Sequence, residues 1–270
     1  MKVFHIVTNF TKEGAAETTE YIQNYLEKKG CVCKDRATED VECVIVLGGD
    51  GTLLRAAGDH IDKHVPMIGI NLGTLGYLAG VDKGDIDEAL DKLMDNQFEI
   101  EGRMMLSGMP RIQGEHLRPM YALNDIVINR KGSLHAISFN INVNGQFLST
   151  YDADGLILST PTGSTAYNLS AGGPIVEPKA KLIVLTPVCT HNMMNNRSIV
   201  LADDDIIDIM IGECKDGTEQ EVEASFDGRF PVTLQTGDSI RIIRSDKVTK
   251  IIKLSRESFL EILHKKMSGK

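Results

Sequence analysis

The 270-residue sequence lacks long apolar runs, internal repeats and low-complexity tracts. No stretch approaches the roughly 18 uninterrupted apolar residues of a membrane span. The N-terminal segment MKVFHIVTNF is strand-like from its start and has no small-residue cleavage site of a signal peptide. We therefore expect a cytoplasmic protein that has no membrane partner.

The sequence also lacks an excess of basic residues. Its 29 Lys and Arg are outnumbered by 38 Asp and Glu, for a formal net charge of −9. A dedicated nucleic-acid-binding protein usually has a basic face or stripe, so we expect no nucleic-acid partner. Any phosphorylated ligand must therefore be held by a local site.

The 5 cysteines, an odd number in a chain of this length, fit reduced thiols better than a disulfide framework. Cys31 and Cys33 form a CxC pair, but a zinc site would need a second pair nearby. Cys43, Cys189 and Cys214 are isolated in the sequence. We predict reduced, buried structural thiols that have no redox role.

The most informative segment is VIVLGGDGTLLRAA, residues 44–57. Its first four apolar residues predict a parallel strand that is buried on both faces, and Gly48, Gly49 and Gly51 follow at once. Thr52 is a candidate cap for a helix whose apolar face follows. The glycine turn is thus predicted at the amino end of a helix, where free N–H groups bind phosphate.

Asp50 is unexpected inside such a turn. A carboxylate there repels phosphate unless it holds a metal ion or accepts a proton from an attacking hydroxyl group. The alternative is a tight turn in which Gly and Asp are common for conformational reasons. The segment matches neither the Walker pattern nor the spaced glycines of a Rossmann fingerprint. Other parts of the sequence must therefore decide between a phosphate-binding turn and a purely conformational one.

Strands and helices alternate over residues 1–100, which predicts a Rossmann-like parallel α/β domain. A second glycine-rich segment, NLGTLGYLAG at 71–80, would meet the first at the carboxyl ends of the strands. The alternative for this segment is a packing turn under a helix. The other predicted elements are strands at 3–7, 31–34 and 65–70 and helices at about 13–29 and 86–97.

Residues 101–249 have a different pattern, with short alternating runs between turn signals such as Asn144-Gly145 and Asp227-Gly228. This pattern predicts an antiparallel β-sandwich domain. Residues 256–267 return to helical spacing, and we expect this C-terminal helix to return to the first domain. Residues 250–270 would then join residues 1–100, so the chain is expected to combine an α/β domain with an all-β domain.

Two polar features interrupt the β-rich half. Asn124 and Asp125 lie in ALNDIVINR, residues 122–130, which is predicted as an apolar strand, and burying such a pair there is costly unless something binds it. The segment DADGLILSTPTGSTAYNLSAGGPIVEP, residues 152–178, is a long polar loop that follows a strand at 156–158. A short helix at 165–170 would present free N–H groups to a polar ligand; the alternative is a solvated loop with a capped helix.

These segments together resemble the NAD kinase family. LGGDGTLLRAA, NLGTLGYLA, the Asn-Asp pair after Ala122-Leu123 and DGLILSTPTGSTAYNLSAGGPIVEP occur in the order and spacing of that family, over residues 44–230. NAD kinases use ATP to phosphorylate the adenosine ribose 2′-hydroxyl of NAD. GSTAYNLSAGGP is highly specific, whereas diacylglycerol and sphingosine kinases and phosphofructokinases carry turns similar to GGDGT.

The resemblance implies roles for individual residues. Asp50 would accept the proton of the hydroxyl group and, with Gly51, contact the dinucleotide, and Tyr77 would lie near adenine. We expect the turn residues Gly48, Gly49, Gly51 and Thr52 to hold the phosphates of ATP with Mg²⁺. The further residues for which the resemblance implies nucleotide contacts are Asn124, Asp125, His135, Asp152, Asp154, Thr165, Ala166, Tyr167, Asn168, Ser170 and Arg229.

Three of these residues depart from the family pattern. Asp125 stands where Glu is usual, Asp152 where many members have a basic residue, and Arg229 where Gln commonly follows FDG. The departures could alter individual contacts and the preference for NAD over NADH. They leave the core motifs intact.

We hypothesise that the chain is an NAD kinase that takes NAD and ATP as substrates. One alternative is a lipid kinase with the same turn, which would need an apolar entrance for its substrate. The other is a non-catalytic NAD sensor, which would not need Asp50. The resemblance also implies a homo-oligomer, a dimer or a tetramer, and leaves open whether NADH or polyphosphate is accepted.

Overall fold

The computed structural model describes residues 1–73, 76–78, 80–132, 136–190, 196–213, 219–254 and 257–268. The chain divides into two compact units, unit 1 with residues 1–103 and 247–270 and unit 2 with residues 104–246. The elements up to residue 112 are β1 (Val3–Thr8), α1 (Ala15–Lys28), β2 (Val32–Lys34), β3 (Cys43–Gly48), α2 (Asp50–Asp59), β4 (Met67–Asn71), β5 (Val81–Asp82), α3 (Ile86–Met94) and β6 (Glu99–Ile112).

The later elements are mostly strands of unit 2, and the last helix belongs to unit 1. They are β7 (Glu115–His116), β8 (Met120–Ala122), β9 (Asp125–Arg130), β10 (Ile137–Val143), β11 (Gln146–Ala153), β12 (Gly155–Ser159), α4 (Tyr167–Ser170), β13 (Leu182–Val188), β14 (Ile199–Ala202), β15 (Ile207–Ile211), β16 (Glu221–Phe226), β17 (Arg229–Gln235), β18 (Ser239–Lys253) and α5 (Phe259–Met267).

The centre of unit 1 is a parallel sheet. Strands β2, β1, β3 and β4 are hydrogen-bonded in that order, and each of the three pairings is parallel. All six residues of β3 are buried, as expected of an apolar strand that helices cover on both faces. The predicted parallel α/β domain is confirmed.

Helices of unit 1 bury their apolar stripes in the core of the sheet. Ile22 and Leu26 of α1 and Leu90 and Leu93 of α3 are fully buried, at the spacing that places side chains on one helix face. Gly30, with a φ of 76°, follows α1 in the left-handed region that glycine adopts without strain. These helices hold the strands whose carboxyl ends carry the glycine turns.

Unit 2 is an antiparallel β-sandwich, as the sequence predicts. One sheet has the order β14-β13-β12-β9-β16-β17, and the other contains β11, β10, β15 and the first residues of β18. Phe139 and Ile209 from one sheet share a buried core with Leu158 and Phe226 from the other. Alternating burial along β10 reflects the period of two that places every second side chain inside.

Three local predictions are wrong. Thr52 is not the helix cap, because the extended backbone of Gly49 lets α2 begin at Asp50 and places Thr52 in the first turn. The predicted strand at 122–130 is interrupted between Ala122 and Asp125, where the backbone N–H groups turn toward a carboxylate instead of a neighbouring strand.

The third concerns the thiols. Cys31 and Cys43 are buried as predicted and free, but Cys189 is exposed. Burial raises the pKa of the Cys33 thiol to about 11, which disfavours a reactive thiolate. Cys214 lies outside the described residues.

Among the described residues, no helix has the length and apolar composition that crossing a membrane requires.

Candidate active site

The glycine turn between β3 and α2 depends on close packing at its first residue. A Cβ on Gly48 would lie 2.3 Å from Thr52 Oγ1, so only glycine lets the first turn of α2 approach the end of β3 this closely. Gly49, Gly51 and Thr52 line one side of a cleft of about 590 Å³ within unit 1. The turn therefore presents backbone groups and a hydroxyl to this cleft.

Asp50 joins the two glycine turns. Its Oδ2 accepts a hydrogen bond from the Tyr77 N–H at 2.7 Å, and its Oδ1 accepts one from the Leu78 N–H at 3.0 Å. A Cβ on Gly76 would lie 1.9 Å from Asp50 Oδ1, so the carboxylate has room only because residue 76 is glycine. The structure thus shows how the acid is accommodated at the glycine turn, because two backbone N–H groups hold it in one position.

Tyr77 lies beside this carboxylate and is half-buried. Lys266 of α5 places its Nζ 5.1 Å from the centroid of the Tyr77 ring, within cation–π range. The C-terminal helix therefore contacts the second glycine turn within unit 1. The ring that was expected near adenine is held from one side by this lysine.

In unit 2, a carboxylate that sequence reasoning missed organises the Asn-Asp pair. Asp227 accepts backbone N–H groups from three consecutive residues, Leu123 at 2.8 Å, Asn124 at 2.7 Å and Asp125 at 3.2 Å. The Asp227 N–H donates in return to the Asp125 carbonyl at 3.0 Å. The available signal was the Asp-Gly turn after β16, where Asp227 has a φ of 51°, but it indicated only a hairpin.

The long polar loop packs on the same backbone. The Thr160 N–H donates to the Asn124 carbonyl at 2.8 Å, and Thr160 Oγ1 donates to the Leu123 carbonyl at 2.6 Å. A Cβ on Gly163 would lie 2.1 Å from the Asn124 carbonyl oxygen. Two segments far away in the sequence, the Asp227 turn and the polar loop, therefore fix the backbone of Asn124 and Asp125.

The Asn124 side chain is buried, yet its Oδ1 has no hydrogen-bond partner within the described part of the chain. Leaving such an acceptor unsatisfied costs about 1–3 kcal/mol. A native protein rarely carries that cost without a reason, and a ligand that donates to the oxygen is one such reason.

Asp125 and Asp227 form a buried acidic pair. Burial, and then the nearby Asp227, raise the pKa of Asp125 to about 7. Burial also raises the pKa of Asp227, but the three backbone N–H groups and Arg229 oppose this shift. Asp227 is therefore the better stabilised anion of the two, and Asp125 is the group that takes up a proton near neutral pH.

Asn168 shapes the polar loop from inside. It is fully buried, and its Nδ2 donates to the Ser164 carbonyl at 3.1 Å and to the Pro174 carbonyl at 3.0 Å. Its Oδ1 accepts from Thr186 Oγ1 at 2.7 Å. Both amide hydrogens are thus used within unit 2, where they hold the loop from inside, and a contact between Asn168 and the nucleotide stays a prediction.

Both halves of the chain match known proteins. Residues 32–98 match the family model of the ATP-NAD kinase N-terminal domain, and residues 123–254 match that of the C-terminal domain. The chain is 45% identical over 296 residues to the NAD kinase of Lachnospira eligens, covering 99% of this chain and 100% of the relative. It is 44% identical over 285 residues to the NAD kinase of Agathobacter rectalis, and the match covers 100% of this chain and 99% of the relative. The chain belongs to the NAD kinase family.

Solved structures show the same fold. The chain superposes on yeast NADH kinase complexed with NADH at a TM-score of 0.89, with 24% identity and coverage of 99% of this chain and 88% of that one. It superposes on an NAD kinase from Archaeoglobus fulgidus in complex with ATP at a TM-score of 0.81, with 22% identity and 99% coverage of both chains.

Membership of the NAD kinase family decides among the three hypotheses. The relatives match this chain along its whole length and are NAD kinases, not lipid kinases. The chain is therefore an enzyme that transfers the γ-phosphate of ATP to the 2′-hydroxyl of the adenosine ribose of NAD, forming NADP. ATP and NAD are its small-molecule substrates.

The remaining predicted site residues of this NAD kinase lie in unit 2. Tyr167 and Ser170 are exposed and Thr165 and Ala166 are partly exposed, so all four are accessible to a ligand. Asp154 forms an ion pair with Arg130 at 3.4 Å, and Asp152 is half-buried on the preceding strand. The Arg229 guanidinium lies over the Phe230 ring at 4.7 Å. His135 lies outside the described residues.

The acidic pair predicts a pH dependence of stability. The Asp125 pKa is raised from 3.8 to about 7 in the folded protein, so the fold binds this proton more tightly than the unfolded chain does. The free energy of unfolding should therefore fall as the pH rises from about 4 to about 7, by up to about 1.4 kcal/mol per pH unit.

Asp125→Asn removes this titration while nearly preserving side-chain volume. We expect the Tm of Asp125→Asn, relative to wild type, to be higher at pH 8 than at pH 5 by about 5 °C. Differential scanning fluorimetry at both pH values measures this, with Asp204→Asn as the control because Asp204 is an exposed acid of the same unit. The same pH dependence in wild type and Asp125→Asn would contradict the assignment.

Proposed function

We propose that Asp50 is the group that accepts the proton of the attacking 2′-hydroxyl during NADP formation. The observation that carries this proposal is the pair of backbone N–H groups, from Tyr77 and Leu78, that holds the carboxylate at 2.7 and 3.0 Å. A proton acceptor must be placed before it can act. The resemblance to NAD kinases assigns the same role to this residue.

Phosphoryl transfer passes through a loose transition state, so the protein contributes mainly alignment and charge neutralisation. A carboxylate is a weak base, but the hydroxyl proton need leave only late in such a reaction. Positioning then matters more than basicity. The Gly76 position, which has no room for a Cβ next to Asp50, supports this view.

We propose that NAD is held in unit 2 by the Asn124 and Asp125 side chains. The unpartnered Asn124 Oδ1 is suited to accept a hydrogen bond from a ribose hydroxyl or from an amide group. Asp154, Thr165, Ala166, Tyr167 and Ser170 supply further contacts in this proposal. Asn168, whose amide hydrogens hold the loop from inside, belongs to the same proposed site.

We propose that Mg²⁺ accompanies ATP. Among the described residues, no group of three or more His, Cys, Asp or Glu side chains could hold a metal ion. The proposal rests on the usual mode of Mg²⁺ binding in proteins, through one or two carboxylates together with the substrate phosphates. The ion would neutralise charge on the phosphates, while the amides of the glycine turn bind their oxygens.

The direct test measures NADP⁺ formation by the purified protein given NAD⁺ and ATP, with Mg²⁺ and with excess EDTA. We expect product only with Mg²⁺, and recovery of activity when the ion is added back in excess. Undiminished turnover in EDTA would contradict the role of the metal. No NADP⁺ under any of these conditions, with NAD still bound, would contradict the catalytic assignments.

We propose further that the protein is a cytoplasmic homo-oligomer, a dimer or a tetramer. The resemblance to NAD kinases implies the assembly. Exposed large apolar side chains of unit 2, among them Phe147, Val200 and Phe230, are consistent with an interface.

A further inference from the structure

The C-terminal helix α5 belongs to unit 1 but lies beyond the residues that the family models match. The second of those matches ends at residue 254, and α5 spans Phe259–Met267. The structure describes all of its 9 residues, and none of them is buried. Packing supplies most of the stability of helices in proteins, so the position of this helix depends on individual surface contacts.

One group of contacts fixes where α5 begins. Ser258 Oγ accepts the Glu261 N–H at 3.3 Å, and the Glu261 carboxylate accepts the Ser258 N–H at 2.6 Å, which together form a capping box. Lys253 Nζ, at the end of β18, donates to the Glu257 carbonyl at 3.2 Å, and Lys265 forms an ion pair with the Glu257 carboxylate. None of these particular contacts reaches the glycine turns.

Lys266 connects the helix to the second glycine turn. Its Nζ lies 5.1 Å from the centroid of the Tyr77 ring, inside the range of roughly 6 Å for a cation–π interaction. Both side chains are partly buried, and such a contact is stronger where water is partly excluded. Lys266 also lies in the last turn of α5, where the helix dipole favours a cation. The pair therefore attaches α5 to Tyr77.

The residue that carries this ring also holds the proposed proton acceptor. The Tyr77 N–H donates to Asp50 Oδ2 at 2.7 Å, and the next N–H along the chain, that of Leu78, donates to Oδ1 at 3.0 Å. A ring that is fixed from outside restricts the backbone of its own residue. Hydrogen bonds weaken steeply as their angle departs from linearity, and small misplacements of a reacting group can cost a large factor in rate.

We propose that Lys266 is a positioning residue for phosphoryl transfer. Its ammonium group holds the Tyr77 ring, and the fixed ring keeps the Tyr77 and Leu78 amides on the Asp50 carboxylate. The inference rests on the proposed function, in which Asp50 accepts the proton of the 2′-hydroxyl. It adds the C-terminal helix to the active site, although Lys266 itself touches no reacting atom.

The first measurement follows the two amides directly and needs no activity. Hydrogen–deuterium exchange of the purified protein is recorded by mass spectrometry on peptides that contain Tyr77 and Leu78. Lys266→Met keeps an unbranched side chain but removes the charge, and we expect these amides to exchange about threefold faster in it. Lys266→Arg should exchange at the wild-type rate, because a guanidinium group also binds an aromatic face.

The second measurement is a double-mutant cycle on kcat. Lys266→Met should lower kcat about threefold and change the NAD KM less than about twofold, because it displaces the proton acceptor and leaves the Tyr77 ring in place. Tyr77→Leu removes the ring but keeps the backbone N–H. If Lys266 acts through the ring, adding Lys266→Met to Tyr77→Leu should lower kcat by less than about 1.5-fold.

Lys265→Met is the matched control, because it removes the neighbouring lysine of α5 and its ion pair with Glu257 but not the contact with Tyr77. An unchanged exchange rate or an unchanged kcat in Lys266→Met overturns the proposal. So do equal effects of Lys265→Met, or an equal loss of kcat from Lys266→Met with and without the Tyr77 ring. Near-normal kcat in Asp50→Asn would instead contradict the proposed function, and amide exchange would still decide whether Lys266 holds the second glycine turn.

Discussion

Asp50→Asn is expected to lower kcat by about 10³-fold and to change the KM for NAD by less than about threefold. General-base catalysis contributes about 10²–10⁴-fold, and an amide cannot take up the hydroxyl proton. The substitution keeps one oxygen, so one of the two backbone N–H groups that Asp50 now binds retains an acceptor. The turn should therefore survive while the chemistry is lost. Steady-state kinetics of NADP⁺ formation measure both parameters.

Gly76→Ala tests whether the position of the carboxylate matters as much as its chemistry. A Cβ at residue 76 would lie 1.9 Å from Asp50 Oδ1, so the carboxylate must move while its charge is kept. We expect kcat to fall in this variant as well. Near-normal kcat in Asp50→Asn would contradict the assignment of Asp50 as proton acceptor and leave it the structural role of holding the second glycine turn.

Asp227→Ala is expected to destabilise the protein by about 3 kcal/mol or more, which corresponds to a fall in Tm of about 10 °C. The substitution removes the acceptor of three consecutive backbone N–H groups, from Leu123, Asn124 and Asp125. Each donor left unsatisfied in a buried position costs about 1–3 kcal/mol, and relief of the carboxylate desolvation returns part of this. Thermal unfolding measures the effect, with Asp204→Ala as the control.

A second measurement separates the positioning role of Asp227 from general destabilisation. Asp227→Asn keeps one acceptor oxygen, so the variant should fold at 25 °C. Because the distorted turn carries Asn124 and Asp125, we expect the NAD KM to rise about 10-fold or more while the ATP KM stays within about twofold. Equal increases in both KM values, or an unchanged Tm in Asp227→Ala, would show that Asp227 does not position the NAD site.

Much of the fold could be predicted from local patterns. The four apolar residues before GGDG predict the buried strand β3, and the structure confirms it. Alternation at 136–143 predicts a strand there, and β10 with its alternating burial confirms that prediction too. Such predictions succeed because the period of apolar residues depends only on the geometry of a strand or a helix.

Predictions at the ends of elements were less accurate. The helix after the glycine turn begins at Asp50 rather than beyond Thr52, and the strand predicted at 122–130 is interrupted before Asp125. At the interrupted strand the backbone N–H groups of Leu123 and Asn124 donate to the distant Asp227 carboxylate. The sequence pattern contains the local acceptors only.

The sequence by itself determined the parallel α/β domain and the antiparallel β-domain through the periodicity of apolar residues, and the glycine turns through their turn residues. It determined the family through a specific motif, GSTAYNLSAGGP. All three signals are local. Only the tertiary structure decided that Asp50 meets the backbone of Tyr77 and that Asp227 holds a turn about one hundred residues away. It also decided that Asn168 is used inside the protein. A carboxylate or an amide binds whichever backbone groups packing brings within 3 Å, and no local pattern specifies that approach.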